Sequence, residues 1–348
     1  MTVTVGRARA EAAGWVAEHA GEQPGYRGAF FTGSTVGLPA GAELPAASDV
    51  DVAVVTADRQ PPVKPGKFRR NGVLIEVGYQ PWAELGSPEA VLGSYHLAGS
   101  FRRDTVIDDP TGRLRMLQGE VAARFAEPSW VRRRCLDARR RVVRGLASID
   151  PAAPFHQQVT SWLFPTAVTT HVLLVAGLRN PTVRLRYARV RELLADVGQS
   201  AIYPELLDLL GCRDLPAARV QRQLDALAVT FDATAEVART PFFFSGDISA
   251  GARSVAIDGS QELIDSGLHR EAVFWIVATF ARCHTILAAD SPGLGDALAP
   301  ALRSAVADLG ITGTDDFQPR ADRVRAFLPR LWQTAEAMIA EGEPAGSP

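Results

Sequence analysis

From about residue 129 onward the apolar residues of this chain recur at helical spacing and strand signals nearly vanish, whereas the first third changes period repeatedly. Apolar side chains at every second position describe a pleated strand, and those three or four apart describe a helix face. A lasting change of period therefore divides the chain into regions that must pack differently. The expected class is α+β: a mixed-sheet domain over residues 1–128, followed by a large all-helical domain over residues 129–343. With 348 residues in all, each region is long enough to bury a core without a disulfide or a structural metal. Cys135, Cys212 and Cys283 are far apart and show no paired spacing, which suits a reducing compartment.

The first region opens with a helical segment near residues 6–20, then an apolar run GAFF over residues 28–31 and a turn at Thr32-Gly33-Ser34. After a loop rich in Pro, Gly and Ala comes DVDVAVVT, residues 49–56, which alternates and then runs apolar as a buried strand does. VLIEVGY, residues 73–79, reads as a second such strand. Between them PPVKPGKFRRNG, residues 61–72, reads as a loop feeding a tight turn at Asn71-Gly72. A short strand over residues 104–108 ends in the turn DPTG. In the second region Val131, Cys135, Leu136, Ala138, Val142, Val143 and Leu146 form one helical stripe, with Arg132 and Arg139 at its edge. Those arginines either snorkel along the surface or reach a cleft between the domains. Residues 269–287 are apolar nearly all round, broken by a line of Glu271, Trp275 and Arg282. The tail EGEPAGSP is expected to lack fixed structure.

Charge excludes little but points away from nucleic acid: 37 basic residues face 39 acidic ones, a net of −2, so no global field steers a polyanion. A small or neutral partner is favoured. Arg7, Arg9, Glu11 and Glu18 sit where a signal peptide would need its apolar core. The longest apolar stretch, residues 162–178, holds Pro165, His171 and three threonines, which fits a buried helix better than a membrane span. The expected compartment is the cytoplasm, without a membrane partner.

The chemistry concentrates in the first region. Strand side chains alternate faces, so Asp49 and Asp51 point the same way and can share hard cations through oxygen ligands, and Glu76 completes the cluster if its strand neighbours theirs. No other charge occurs between Gly72 and Trp82, so a lone Glu76 in an apolar strand is odd for a merely solvated face. Gly33 lets backbone N–H groups approach a phosphate and Ser34 adds a hydroxyl. Lys64 and Lys67, the chain's only lysines, fall together in KPGKFRR with Arg69 and Arg70, as phosphate donors or as a solvated basic loop. Asp247, in SGDIS, caps a turn or assists an acceptor. His96, His156, His171 and His269 show no metal-ligand spacing.

FFTGS, then SDVDVAVV, then VLIEVGY resembles the nucleotidyltransferase superfamily that includes kanamycin-type aminoglycoside nucleotidyltransferases and the palm of DNA polymerase β. The likeness covers residues 28–79, with support from the strand and turn near residue 109; fourteen residues separate Ser34 from Asp49, a gap at or beyond the long end of that superfamily's. It implies Mg2+-dependent transfer of NMP from an NTP, with Asp49, Asp51 and Glu76 as metal ligands and Gly33 and Ser34, joined by Lys67 and Arg69, on the nucleotide phosphates. The expected acceptor is a hydroxyl or amine of a small molecule such as an aminoglycoside-like sugar. A tRNA end or a protein hydroxyl is the enzymatic alternative, and a non-catalytic nucleotide-binding regulator is the rival from another class. Attack near neutral pH calls for a positioned base, and Glu271, at the head of the most apolar helix, is the candidate. Its plainer role is an ion pair, with Arg270 adjacent, or a negative charge at a helix N-terminus.

Overall fold

The computed structural model describes residues 3–57 and 64–342. Helix α1 (Val5–His19) starts where the Thr4 hydroxyl accepts from the Arg7 N–H, and its buried side is Val5, Ala8, Ala12 and Val16. Small residues on that side let the helix lie close to a five-stranded mixed sheet. The strands are β1 (Tyr26–Thr32), β2 (Val50–Thr56), β3 (Gly66–Arg70), β4 (Val73–Pro81) and β5 (Val106–Asp108), in the order β3-β4-β2-β1-β5. β2 and β4 run parallel and the other neighbours antiparallel.

One face of the sheet, with Val50, Val52, Val54, Val73, Ile75 and Val77, packs on α1. On the other face Ala53, Val55 and Phe30 are covered by α2 (Pro88–Gly93), α3 (Ala98–Phe101) and α4 (Arg113–Arg124). Both faces of β2 are thus buried beyond Asp51, which is why its second half reads as an unbroken apolar run. The head of the strand, where the acids sit, escapes that cover.

KPGKFRRNG departs from the expected loop. Residues 66–70 form β3, an edge strand paired with β4 through a turn in which Asn71 and Gly72 both have positive φ. Charged side chains are what an edge strand tolerates, and alternation sends them to opposite faces. Arg70 reaches back to Glu18 at 2.6 Å and Lys67 points to the other side. The first residues of the expected loop, 61–63, and the tail beyond Gly342 lie outside the described residues.

No strand follows β5 among the described residues. The helices are α5 (Pro128–Ala147), α6 (Phe155–Ala176), α7 (Arg186–Asp196), α8 (Tyr203–Leu210), α9 (Ala217–Val237), α10 (Gly259–Asp265), α11 (His269–Asp290), α12 (Pro292–Ala307) and α13 (Phe317–Glu341). α11 lies in the middle, against α6, α9, α10 and α12. α6 and α11 are long and apolar enough to cross a bilayer, but 83% of the most apolar window of each is buried within the fold. Arg132 and Arg139 do not reach a cleft. Arg132 pairs with Glu336 at 2.9 Å, and Arg139 lies over the Trp332 ring, so both fasten α5 to α13. One arginine that joins the two regions is Arg134, which is buried and donates to the carbonyls of Leu92 and Phe125.

His284 on α11 has an Nε2 without a hydrogen-bond partner, as does His156 at the start of α6. Burial, then the neighbouring His156, pushes the His284 imidazolium down to about 4. Unfolded, the same ring protonates near its ordinary 6.5. The unfolded chain therefore binds the extra proton between those two values, and stability falls as pH drops through that window. The expected loss is about 2 kcal/mol after allowing for partial solvent access. Urea midpoints of wild type and His284→Gln between pH 7 and 4 test it: the wild-type slope should flatten in the variant, and parallel slopes refute the assignment.

Candidate metal centre

Strand register assembles the acids. Asp51 pairs with Glu76 across the parallel β2–β4 ladder, Glu76 with Lys67 across β4–β3, and Asp51 with Thr32 across β2–β1. Directly paired residues share a face, so Lys67, Glu76, Asp51 and Thr32 form one row across four strands. Asp49, two residues before Asp51, joins them on that face. One carboxylate oxygen from each of Asp49, Asp51 and Glu76 lies within 4.8 Å of the others. An all-carboxylate donor set of this size suits a hard divalent cation.

Positive charge already converges on the same point. The Lys67 ammonium is 2.6 Å from Asp49 Oδ2, 3.0 Å from Asp247 Oδ1, and hydrogen-bonded to Glu76 Oε2. Lys64 pairs with Glu76 Oε1 at 2.6 Å. Burial works against the charge on Lys67, but Asp247, Asp49 and Glu76 outweigh it and hold the ammonium above its usual range. For Glu76 burial likewise opposes ionisation, and Lys67 and Lys64 overcome it, bringing the carboxyl down to about 2. Asp51 is the exception. Burial, then Asp49 and Glu76, push it well above the ordinary carboxylate range, and the nearby Lys67 only partly offsets them. The three carboxylates converge on one position, which the Lys67 ammonium neutralises from the side of Asp49 and Glu76, and among the described residues no cationic side chain is in ion-pair contact with Asp51.

Gly33 makes room for Asp51. Its φ is +72°, and a Cβ there would overlap Asp51 Oδ2, so this turn and that carboxylate coexist only with glycine. The turn is held from the helical region by Asn180, whose amide donates to the Gly33 carbonyl at 2.8 Å. Ser34 begins a single 3-10 turn (Ser34–Gly37) and lines the cleft.

The helices supply the opposite wall of a cleft of about 280 Å3. Gly66 and Gly246 pack backbone to backbone, with a Cβ at Gly246 only 3.0 Å from the Lys67 nitrogen of the main chain. That close approach carries Asp247 to Lys67. Arg282 of α11 fixes Asp247 from behind at 2.7 Å, and Trp275 lines the same wall. A larger cavity of about 860 Å3 continues past Ser34 and Arg184. Arg184 donates to the carbonyls of Ala47 and Gly259, so it bridges the regions without a carboxylate partner in contact among the described residues.

Of the residues singled out in the sequence, Asp49, Asp51, Glu76, Gly33, Ser34, Lys64 and Lys67 come together here. Arg69 does not: it shares the face of Lys67 but donates to Ser254 Oγ at 3.2 Å, outside the cleft lining. Glu271 is also misplaced as a base, being buried where the Tyr203 hydroxyl donates to it at 2.7 Å and Arg191 at 3.3 Å, away from the cleft. Its carboxylate serves packing between α11 and α8. Asp247, and not Glu271, is the acid that lines the cleft from the helical region. His171 and His269 hydrogen-bond the carbonyls of Thr182 and Leu215, as structural histidines do. The sequence alone missed Arg184 and Asn180, which stand in a stretch, NPTVRL, with no periodicity to announce it.

What the fold and site define is a mixed-sheet α+β protein with a helical C-terminal region and an Asp-Asp-Glu cluster able to hold a metal ion. The chain matches no protein-family model and no curated protein sequence.

Proposed function

We propose that the protein is a Mg2+-dependent nucleotidyltransferase, moving NMP from an NTP to a hydroxyl or amine of a small-molecule acceptor. The observation that carries this reading is the row Lys67, Glu76, Asp51, Thr32 with Asp49 beside it, set next to the Gly33-Ser34 turn. When bound, a divalent cation there supplies Lewis-acid neutralisation of phosphate oxygens. The chain's own part is positioning. Gly33 and Ser34 offer N–H and hydroxyl donors to phosphate, Lys64 adds charge, and Asp247, steadied by Arg282, forms a polar wall where an acceptor can be oriented. The acceptor oxygen or nitrogen bonds to the α-phosphorus and gives up its proton to solvent, the bond from that phosphorus to the α–β bridging oxygen breaks, and pyrophosphate leaves. A near-neutral chain and a cleft of about 280 Å3 favour a small acceptor over a long nucleic acid.

Incubation of the full chain with each of the four NTPs, Mg2+ and pooled candidate acceptors tests this, read by pyrophosphate release and by the mass of the acceptor. A gain of one NMP with stoichiometric pyrophosphate is expected. Nucleotide binding without pyrophosphate from any NTP would leave a binding protein and refute the transferase.

A further inference from the structure

We infer that the cleft carries a stacking subsite for the nucleobase, built on Phe243, with Val183 lining the same cleft. This rests on the nucleotidyltransferase reading and adds which part of the nucleotide the helical region grips. Phe243 is the most exposed large apolar side chain among the described residues, at 79%, and Val183 is 45% exposed. Both line the cleft that holds Asp49, Asp51 and Glu76. The other exposed large apolar residues, Met116, Val143 and Val229, do not. A phenyl ring left in water contributes nothing to the core, and its place beside a polar site is what a ligand contact requires.

The exposure is built into the backbone. Of three successive phenylalanines, Phe242 and Phe244 stack on each other at 5.4 Å, while Phe243 meets Phe244 edge-on at 5.1 Å and points outward. Asp290 accepts from the N–H groups of Arg239 and Thr240, Ser245 Oγ accepts from the Phe242 N–H at 2.8 Å, and Asp247 is fastened by Arg282 and Lys67. The segment bearing Val183 is equally tied: Asn180 to Gly33, Arg184 to Ala47 and Gly259, and Arg186 Nε to the Val183 carbonyl at 2.8 Å. Two apolar groups are therefore held ready at a cleft whose floor takes a cation and hence phosphate. The ligand that satisfies both ends is anionic at one end and flat and apolar at the other, as a nucleotide is. A phenyl ring reads the face of a base and not its hydrogen-bonding edge, so all four bases are accepted, purines better than pyrimidines.

Titration of the full chain with ATP, GTP, CTP and UTP in Mg2+, and with inorganic tripolyphosphate in Mg2+ as a probe without a base, decides the matter. Phe243→Ala is expected to weaken each NTP by about 10- to 100-fold, and Phe243→Trp to restore binding to within about threefold. Tripolyphosphate should bind wild type and both variants alike. Equal NTP affinity in wild type and Phe243→Ala overturns the inference, as does an equal loss for tripolyphosphate. If wild type binds tripolyphosphate as tightly as the NTPs, the base is not gripped and the inference falls while the metal and phosphate reading stands. If wild type binds neither probe, both fall together. A Phe243→Ala effect confined to the KM of the acceptor would assign the ring to the acceptor and overturn the nucleobase subsite.

Discussion

Asp51→Asn is expected to abolish nucleotidyl transfer, by at least about a thousandfold in kcat/KM, while the protein folds normally. Removing a carboxylate that shares a cation costs several kcal/mol of charge neutralisation in the transition state, and roughly 4 kcal/mol corresponds to that factor. Folding should not suffer, because Asp51 is the carboxylate that burial and its acidic neighbours already push towards the neutral form. An amide of the same shape relieves the crowding between Asp49 and Glu76, so the metal-free melting temperature should hold or rise. The paired readout is Mn2+ affinity, which should drop together with activity. Transfer within about tenfold of wild type would sink the metal-ligand assignment, whatever the melting curves show.

Lys67→Ala should produce the largest change in stability, and one that a cation reverses. The ammonium is almost fully buried, with 5% of the side chain exposed, and holds Asp49, Glu76 and Asp247 at once. Deleting one partner of a buried charge cluster leaves the others uncompensated, at a cost of about 3–5 kcal/mol. In the absence of divalent cations the variant should therefore unfold well before wild type. Mg2+ added to both should stabilise the variant far more, because in wild type the cation competes with the lysine for the same oxygens. A variant as stable as wild type in chelator, or one with the same Mg2+ response, would show that Lys67 is no internal counter-ion. A companion titration with NTP separates this role from direct phosphate binding: loss of NTP affinity at saturating Mg2+ would assign Lys67 to both.

How far the sequence could be read depends on the range of the interaction concerned. The strand DVDVAVVT and its two acids on one face are a matter of alternation along a single backbone, and β2 lies within one residue of where the pattern placed it. β3 was missed because Pro65, Gly66 and four cationic side chains from Lys64 to Arg70 carry the local marks of a loop. What makes residues 66–70 a strand is the free edge of β4, a partner that local pattern cannot see. Glu271 shows a finer failure. Along α11 it does lie on the same stripe as Trp275 and Arg282, as the helical spacing indicated. Arg282, which meets Asp247, is eleven residues further on, about 16 Å along the axis. The direction was right and the depth wrong.

The amino-acid sequence by itself determined the succession of strands and then helices and the shared orientation of Asp49 and Asp51. Each follows from steric and periodic rules that act over a few residues. Only the tertiary structure decided that β4 lies parallel to β2 with Glu76 opposite Asp51, that Lys67 fills the space between the acids, and that Asp247 and Arg282 close the site from the helices. Those choices are made by packing between segments far apart in the chain, where the polar line on α11, a helix apolar nearly all round, indicates a side but not which end of it will face the cleft.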